Sequence, residues 1–521
     1  MRYRFFLLLS LLSFYLTSKS QESAPLLVLG EVDFADSVRV WDGFGVNYVE
    51  TSQTYDYNRF PQDYGGFSIL TEKSRREIVE LVFGTDGLRP SIVKMFLDPL
   101  HQKELGGAFD HKTTTKSMRQ FAKHGYELTR KRGEKLSIIT TLYSPPAYIT
   151  RQNRLRGKDI REDRIDDMAE YMTDWVDFLR KDKLPVEYIS IHNEGEDWRR
   201  WSADTDADAM MDKEGHDYNM YVPAEQVTKT INSLRTHLDS RGLKDIKITN
   251  GENTNWYRFW SWNYAGTIVK DKKALDNLGL ITSHGFYVGG FNSPRWFAPH
   301  SNEGTETIRR YRPDLHAWTT STAWNIKKEI CHEGKHESVF VTNAAFLKEI
   351  HGLIYEAHCN AVIPWAMIQR ASQWNKPDPN PGCAIRVYDD GTWEIRKGYY
   401  YYKQVTSVGR PGMNIAKAWT NDSDIAIIAF AKATTNNPNA FVVVNWGNEP
   451  YKVELRVNGS EYNKYKVYRT SGEEIYKPYE SAKKHQPDGE NYKLLPDAVA
   501  INNIISFFVP PMSATTFSET K

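Results

Sequence analysis

Four acids in the chain stand directly after short apolar runs, where a strand would end and aim a polar group out of a sheet. Glu194 follows VEYISIH in ISIHNEGEDWRRW, Glu252 follows IKITN in ITNGENTNWYRFW, Asp98 closes SIVKMFLD, and Glu50 closes VRVWDGFGVNYVE. Paired carboxylic acids are the tools of glycosidic bond cleavage. One protonates the departing oxygen while the second acts as nucleophile from about 5 Å, or as base to a water from about 6.5–9.5 Å. Asn193 suits this chemistry, because its amide can bond a ring hydroxyl while Glu194 beside it delivers the proton. Taken alone, Glu194 also reads as a solvated loop acid. Glu252 leads for the second group, ahead of Asp98 and Glu50, and each of these three also reads as a hydrogen-bonding residue for sugar hydroxyls. Glu196 reads equally as a structural partner of Glu194. A nucleophilic Ser or Thr would need a base beside it. No HExxH helix and no Asp-rich calcium loop occurs, and Cys331, Cys359 and Cys383 are too widely spaced for a zinc knuckle. Neither a metal nor a cofactor is expected.

Such acids need a scaffold that gathers several strand ends on one face. Apolar runs suited to this are Val38–Val49, Ser91–Leu97, Leu136–Leu142, Val186–His192, Ile246–Asn250, Leu280–Tyr287, Leu315–Thr319 and Asn360–Trp365. Between them lie helical patterns: Met168, Met172, Trp175 and Leu179 fall on one face, as do Val227, Ile231, Leu234 and Leu238. Lys73–Phe83, Thr115–Arg132 and Phe346–His358 behave similarly. Most of the runs are continuously apolar, as strands covered on both sides by helices should be. The expected class is α/β, a (β/α)8 barrel with insertions. An open doubly wound sheet is the alternative, but no Gly-rich phosphate turn follows the first strand.

After Val405 the texture changes to short strands split by Asn, Gly, Asp and Pro turns: Ile425–Ala431, Phe441–Trp446, Tyr465–Tyr468 and Ile504–Val509. This predicts a C-terminal all-β sandwich, and Leu26–Phe34 is expected to join it rather than the barrel. The expected organisation is a signal segment at 1–20, an N-terminal strand at 21–38, a barrel at 39–405 and a sandwich at 406–521.

The aromatics suggest a cleft. Trp198, Trp201, Trp256, Tyr257, Trp260, Trp262, Trp296, Trp324 and Trp374 all lie just beyond expected strand ends, where indoles could stack on sugar rings. Arg199, Arg200, Arg258, Arg295 and Arg370 could read a uronate or sulfate, though surface solvation explains each of them as well.

The chain has 521 residues, with 67 Lys and Arg against 66 Asp and Glu. That balance gives no basic excess to favour nucleic acid as a partner. Met1–Ser20 reads as a secretory signal, with Arg2 and Arg4 before an apolar run too short to span a bilayer. No later segment is long and apolar enough for a membrane span. The expected location is periplasmic or secreted, with a carbohydrate as partner.

The order of motifs carries a resemblance. GFG (Gly43–Gly45), SPPAY (Ser144–Tyr148), HNE (His192–Glu194), SHGFY (Ser283–Tyr287) and PWAMIQ (Pro364–Gln369) follow strands one, three, four, six and eight, or lie on them. The bridging segment Lys397–Met413 and the closing VPPMSATTF (Val509–Phe517) complete the pattern. It resembles a clan A retaining glycoside hydrolase, most closely family 30. The resemblance implies hydrolysis of a glycosidic bond, expected to be β-linked, in a poly- or oligosaccharide, with Glu194 as acid/base and Asn193 as its neighbour. It implies His284 and Tyr287 lining the sugar subsite and Trp365 flooring it; Lys94, Asp98, Trp256, Trp324 and Gln369 are expected to add to the binding surface. The family's nucleophile is a Glu at the end of strand seven, yet LHAWTTSTAWN (Leu315–Asn325) holds none, and no acid lies between Asp314 and Glu329. Lys94 stands where the family generally has the Arg that pins that nucleophile. A sugar-binding protein without catalysis on the same scaffold is the competing reading.

Overall fold

Eight parallel strands close into a barrel: Gly43–Asn47, Ile92–Leu97, Ser137–Leu142, Val186–Ser190, Lys247–Thr249, Leu278–Ser283, Ala317–Thr319 and Ala361–Val362, the last pairing back onto the first. The computed structural model describes residues 25–51, 58, 61–153, 155, 159–197, 219–286, 300–332, 335–370, 372, 382–476 and 488–521. The expected signal segment 1–20 lies outside the described residues. Among the described residues no helix is long and apolar enough to cross a membrane.

The helices explain the continuous apolar strands. Ile165–Lys181 turns Met168, Met172, Trp175 and Leu179 into the core, at the spacing of one helical face. Asp166 and Asp167 in its first turn and Arg180 and Lys181 in its last complement the helix dipole. Ala224–Ser240 packs beside it and buries Val227, Ile231, Leu234 and Leu238. Each such side chain stabilises the fold by about 1.5–3 kcal/mol.

Inside the barrel, strand alternation makes layers. Ile92, Ile139, Leu280, Trp318, Ala361 and Ile363 form an apolar plug, with Tyr188 packed against it. Two residues further along the same strands stand Lys94, Thr141, Thr282 and Thr320, all fully buried. Side chains repeat every second residue along a strand, so a polar layer lies above the apolar one.

The C-terminal domain is a nine-stranded sheet folded over its own core as a sandwich, and it takes in the N-terminal strand. That strand, Leu26–Val40, runs antiparallel to Asn414–Thr420 and parallel to Tyr451–Asn458. The run read as Val38–Val49 therefore divides. Val38–Val40 finishes the sandwich strand, the Trp41 and Asp42 amides bond the carbonyls of Met413 and Asn360, and Gly43–Asn47 enters the barrel. Tyr451–Asn458 alternates buried and exposed residues, as a strand with one wet face does. The helix Lys397–Thr406 ties the two domains: the Tyr401 hydroxyl lies 2.7 Å from the carbonyl oxygens of both Gly472 and Met512 and shares its one hydrogen between them. The hairpin Ile326–His332/Lys335–Thr342, which follows barrel strand seven, pairs with Glu474–Tyr476 of the C-terminal region.

Candidate active site

The ends of strands four and five are stitched by backbone. The Glu194 amide donates to the Glu252 carbonyl at 2.6 Å, and the Glu252 amide to that of His192 at 3.0 Å. Glu194 takes a left-handed φ of 47°. A side chain in that region costs about 1 kcal/mol or more, and such strain persists where surrounding contacts enforce it. The turn lifts its carboxylate to the mouth, where the side chain is 11% exposed while that of Glu252 is 0% exposed.

The two acids meet through one imidazole. His284 places Nδ1 at 3.2 Å from Glu194 Oε1 and Nε2 at 2.9 Å from Glu252 Oε2. Lys94 Nζ donates to the same Glu252 oxygen and lies 3.3 Å from the Thr320 carbonyl oxygen. The Thr141 hydroxyl donates to the other Glu252 oxygen at 2.7 Å. Burial alone would raise the Glu252 carboxyl, but the Lys94 ammonium and His284 outweigh it and hold it well below the usual carboxylate range. Burial pushes the Lys94 amine down, opposed by the charge of Glu252. His284 moves upward: burial disfavours its charge, but bonds to both carboxylates win. His192, buried behind the pair, is driven down to about 4 by desolvation.

Other expected site residues divide into several groups. Asn193 donates through Nδ2 to Asn219 Oδ1 at 2.7 Å, and Asn219 Nδ2 lies 3.4 Å from Glu194 Oε2. Sequence reasoning missed Asn219, which stands in the long connection after strand four with no pattern to mark it. It also missed Thr141, although Thr141 follows Ile139 at strand spacing. Asp98 is buried and caps the turn after strand two by accepting from Leu100 N at 2.9 Å; desolvation raises it to about 7. Glu50 accepts from Met118 N at 3.0 Å, and burial lifts it to about 8. Glu196 is a structural partner: its Oε1 accepts from Thr254 N at 2.9 Å and Arg258 Nη1 at 3.1 Å. Trp365 lies against Tyr64 and Phe96, with ring centroids at 6.1 and 5.7 Å, and Gln369 donates to the Tyr64 hydroxyl. Tyr287, Trp198, Trp201, Trp296 and Trp374 lie outside the described residues.

Two of the expected stacking platforms are corrected. Trp256 and Trp324 are both 0% exposed. Trp256 opens a short helix capped by Asn255, which tucks its indole inward to donate to Thr319 Oγ1 at 3.0 Å. Trp324 donates to the Ala366 carbonyl at 3.0 Å and packs between Phe346 and Tyr402. Packing consumes both faces, so neither indole is free to stack on a sugar. Trp262 is half-buried, with the Arg258 guanidinium 4.6 Å over its ring. Trp260, by contrast, is 43% exposed. At the end of strand seven stand Thr320 and Ser321, both buried, with the Gly285 amide bonded to the Ser321 carbonyl at 2.7 Å. The buried cation of strand two thus meets a carboxylate from strand five, and only a carbonyl from strand seven. Among the described residues no cluster of side chains suited to a metal ion occurs.

No family model matches the chain, and no curated protein matches its sequence. Solved structures do. The catalytic domain of a family 30 xylanase C from Talaromyces cellulolyticus shares 16% identity over 95% of this chain and 100% of its own, with a TM-score of 0.65. An endo-β1,6-glucanase shares 17% identity over 94% of each chain, with a TM-score of 0.62. A conserved exported protein from Bacteroides fragilis shares 14% identity over 94% of this chain and 99% of its own, at 0.63. The fold, a (β/α)8 barrel with a sandwich that takes in the N-terminal strand, is thus similar over nearly its whole length to that of family 30 glycoside hydrolases.

Proposed function

We propose that the protein is an exported glycoside hydrolase that cleaves a β-linked bond in a poly- or oligosaccharide, with Glu194 as the general acid. The observation that carries this reading is the contrast between two linked carboxylates at the barrel's C-terminal mouth. One keeps 11% of its side-chain surface exposed, and the other is fully buried and held ionised by Lys94. Environments that separate two carboxyl groups in this way mark acid and anion roles in glycosidases. On this reading Glu194 protonates the departing oxygen, and Glu252 sets a fixed negative charge beneath the positive charge that develops on the sugar ring. Xylanase and endo-β1,6-glucanase activities among the similar structures support a β-linked polymer as substrate. Met1–Ser20 supports export.

A second reading has its own support. Glu252 is fully buried and Thr320–Ser321 replaces the strand-seven acid, as a sugar-binding protein without catalysis would show. Product release from mixed β-glycans by wild type and by Glu194→Gln separates the two. Hydrolysis by wild type, with a loss of about 10²–10⁴-fold in the variant, is the expected result. Binding of oligosaccharide by both proteins with release by neither overturns the hydrolase reading.

A further inference from the structure

The environment of His284 constrains its protons. Its side chain is 3% exposed, and each ring nitrogen faces a carboxylate oxygen, Glu194 on one side and Glu252 on the other. A carboxylate can only accept, so a bare ring lone pair pointing at either one would be repelled. Glu252 is already bonded by Lys94 and Thr141, which keeps it an acceptor toward Nε2. Nε2 therefore carries a hydrogen, and the contact between Nδ1 and Glu194 Oε1 needs a hydrogen of its own. That hydrogen belongs to the ring as an imidazolium or to Glu194 as a carboxylic acid. Sites coupled so closely titrate as a pair.

Resting on the hydrolase reading above, we propose that His284 and Glu194 hold one proton between them and that this is the proton delivered to the departing glycosidic oxygen. His284 is then a positioning residue that supplies the acid. Without a sugar the Glu194 side chain keeps 11% of its surface exposed, and contact with water there favours the charged pair. A sugar seated over Glu194 removes that water, and low polarity favours the neutral pair. The N–H bond at Nδ1 breaks and an O–H bond forms at Glu194. That O–H bond then breaks as the departing oxygen takes the proton and the bond from that oxygen to the anomeric carbon cleaves. The water that adds to the anomeric carbon releases a proton, which restores the pair. The charged and titratable groups facing the ring are Glu194 and His192 from strand four, Glu252 from strand five and Lys94 from strand two. Burial disfavours charge on the His284 ring, but its bonds to Glu194 and Glu252 displace it upward, the direction that favours a ring with both hydrogens.

Two measurements test this. In the free protein, nitrogen NMR of the His284 ring should show both nitrogens protonated at pH 7, with the ring titrating at lower pH in Glu194→Gln. A ring that is neutral at pH 7 in wild type, or that titrates identically in the two proteins, overturns the proposal whether or not any glycan is cleaved. In turnover, His284→Gln should lose about 10²-fold or more on glycosides with an alkoxide leaving group and much less on dinitrophenyl glycosides, which leave without protonation. Its alkaline limb should move to lower pH. An equal loss on both substrates with an unchanged pH profile makes His284 merely structural and sinks the proposal. If wild type cleaves nothing, the hydrolase reading fails by itself, and the NMR result still decides whether the pair shares a proton.

Discussion

Replacing Lys94 by Met leaves Glu252 as a buried carboxylate without its ammonium partner, and the consequence can be worked out. Both side chains of the pair are 0% exposed. Removing one partner of a buried ion pair is costly because the other charge is stranded. The stranded carboxylate has one escape, which is to bind a proton. With an ordinary carboxyl value of 4.5, neutralising it at pH 7 spans 2.5 pH units, or about 3 kcal/mol at about 1.4 kcal/mol per unit. At pH 5 the same step costs about 0.7 kcal/mol. His284 still faces Glu252, so these values are ceilings. In the wild type the folded carboxyl lies below its ordinary value. Its contribution is therefore present above 4.5 and is lost only as pH falls through the lower, folded value. The wild type thus keeps the pair between pH 5 and 7, so loss of the pair itself weighs equally at both values, and the deficit of Lys94→Met is larger at pH 7 than at pH 5 by up to about 3 kcal/mol. In a chain of this size ~3 kcal/mol corresponds to a Tm shift of about 3 °C. Thermal unfolding of wild type, Lys94→Met and the Lys94→Met/Glu252→Gln double variant at both pH values tests this. The double variant should recover most of the loss, since neither side chain is then charged and Gln can still accept from His284. A deficit independent of pH, or a double variant no more stable than the single one, refutes the reasoning.

Two further expectations concern the scaffold. Gly251 has φ +83°, and a Cβ there would fall 2.1 Å from the His192 ring, so Gly251→Ala should cost about 2–5 kcal/mol and displace Glu252; an unchanged Tm counts against the described backbone. His300 is held between Glu349 at 3.0 Å and Glu356 at 3.4 Å; burial opposes its charge, but the two carboxylates lift it to about 9. A raised folded value stabilises below the ordinary 6.5 and fades as pH rises through 9. His300→Gln should therefore lose about 3 kcal/mol at pH 6 and little at pH 10, as read by denaturation at the two pH values; an equal loss at both contradicts the assignment.

Much of the architecture was already legible as periodicity. Continuous apolar runs announced strands covered by helices, and Met168, Met172, Trp175 and Leu179 announced a buried helical face, because those patterns depend only on local geometry. Even part of the site could be counted out along strands: Lys94 stands two residues after Ile92, Thr141 two after Ile139 and His284 four after Leu280. Alternation alone places these side chains above the barrel's apolar plug.

Which groups meet there was decided only when the chain closed. Lys94 and Glu252 are 158 residues apart, and Glu194 and His284 are 90 apart. No local pattern says that the strand-two cation will choose a strand-five carboxylate, or that one imidazole will stand between the two acids. Trp256 and Trp324 make the same point in reverse, since position after a strand end suggested a platform and neighbouring packing buried both. Periodicity tells which face of an element a residue occupies, whereas its burial, its ion partner and its proton are set by whatever the rest of the chain brings against that face.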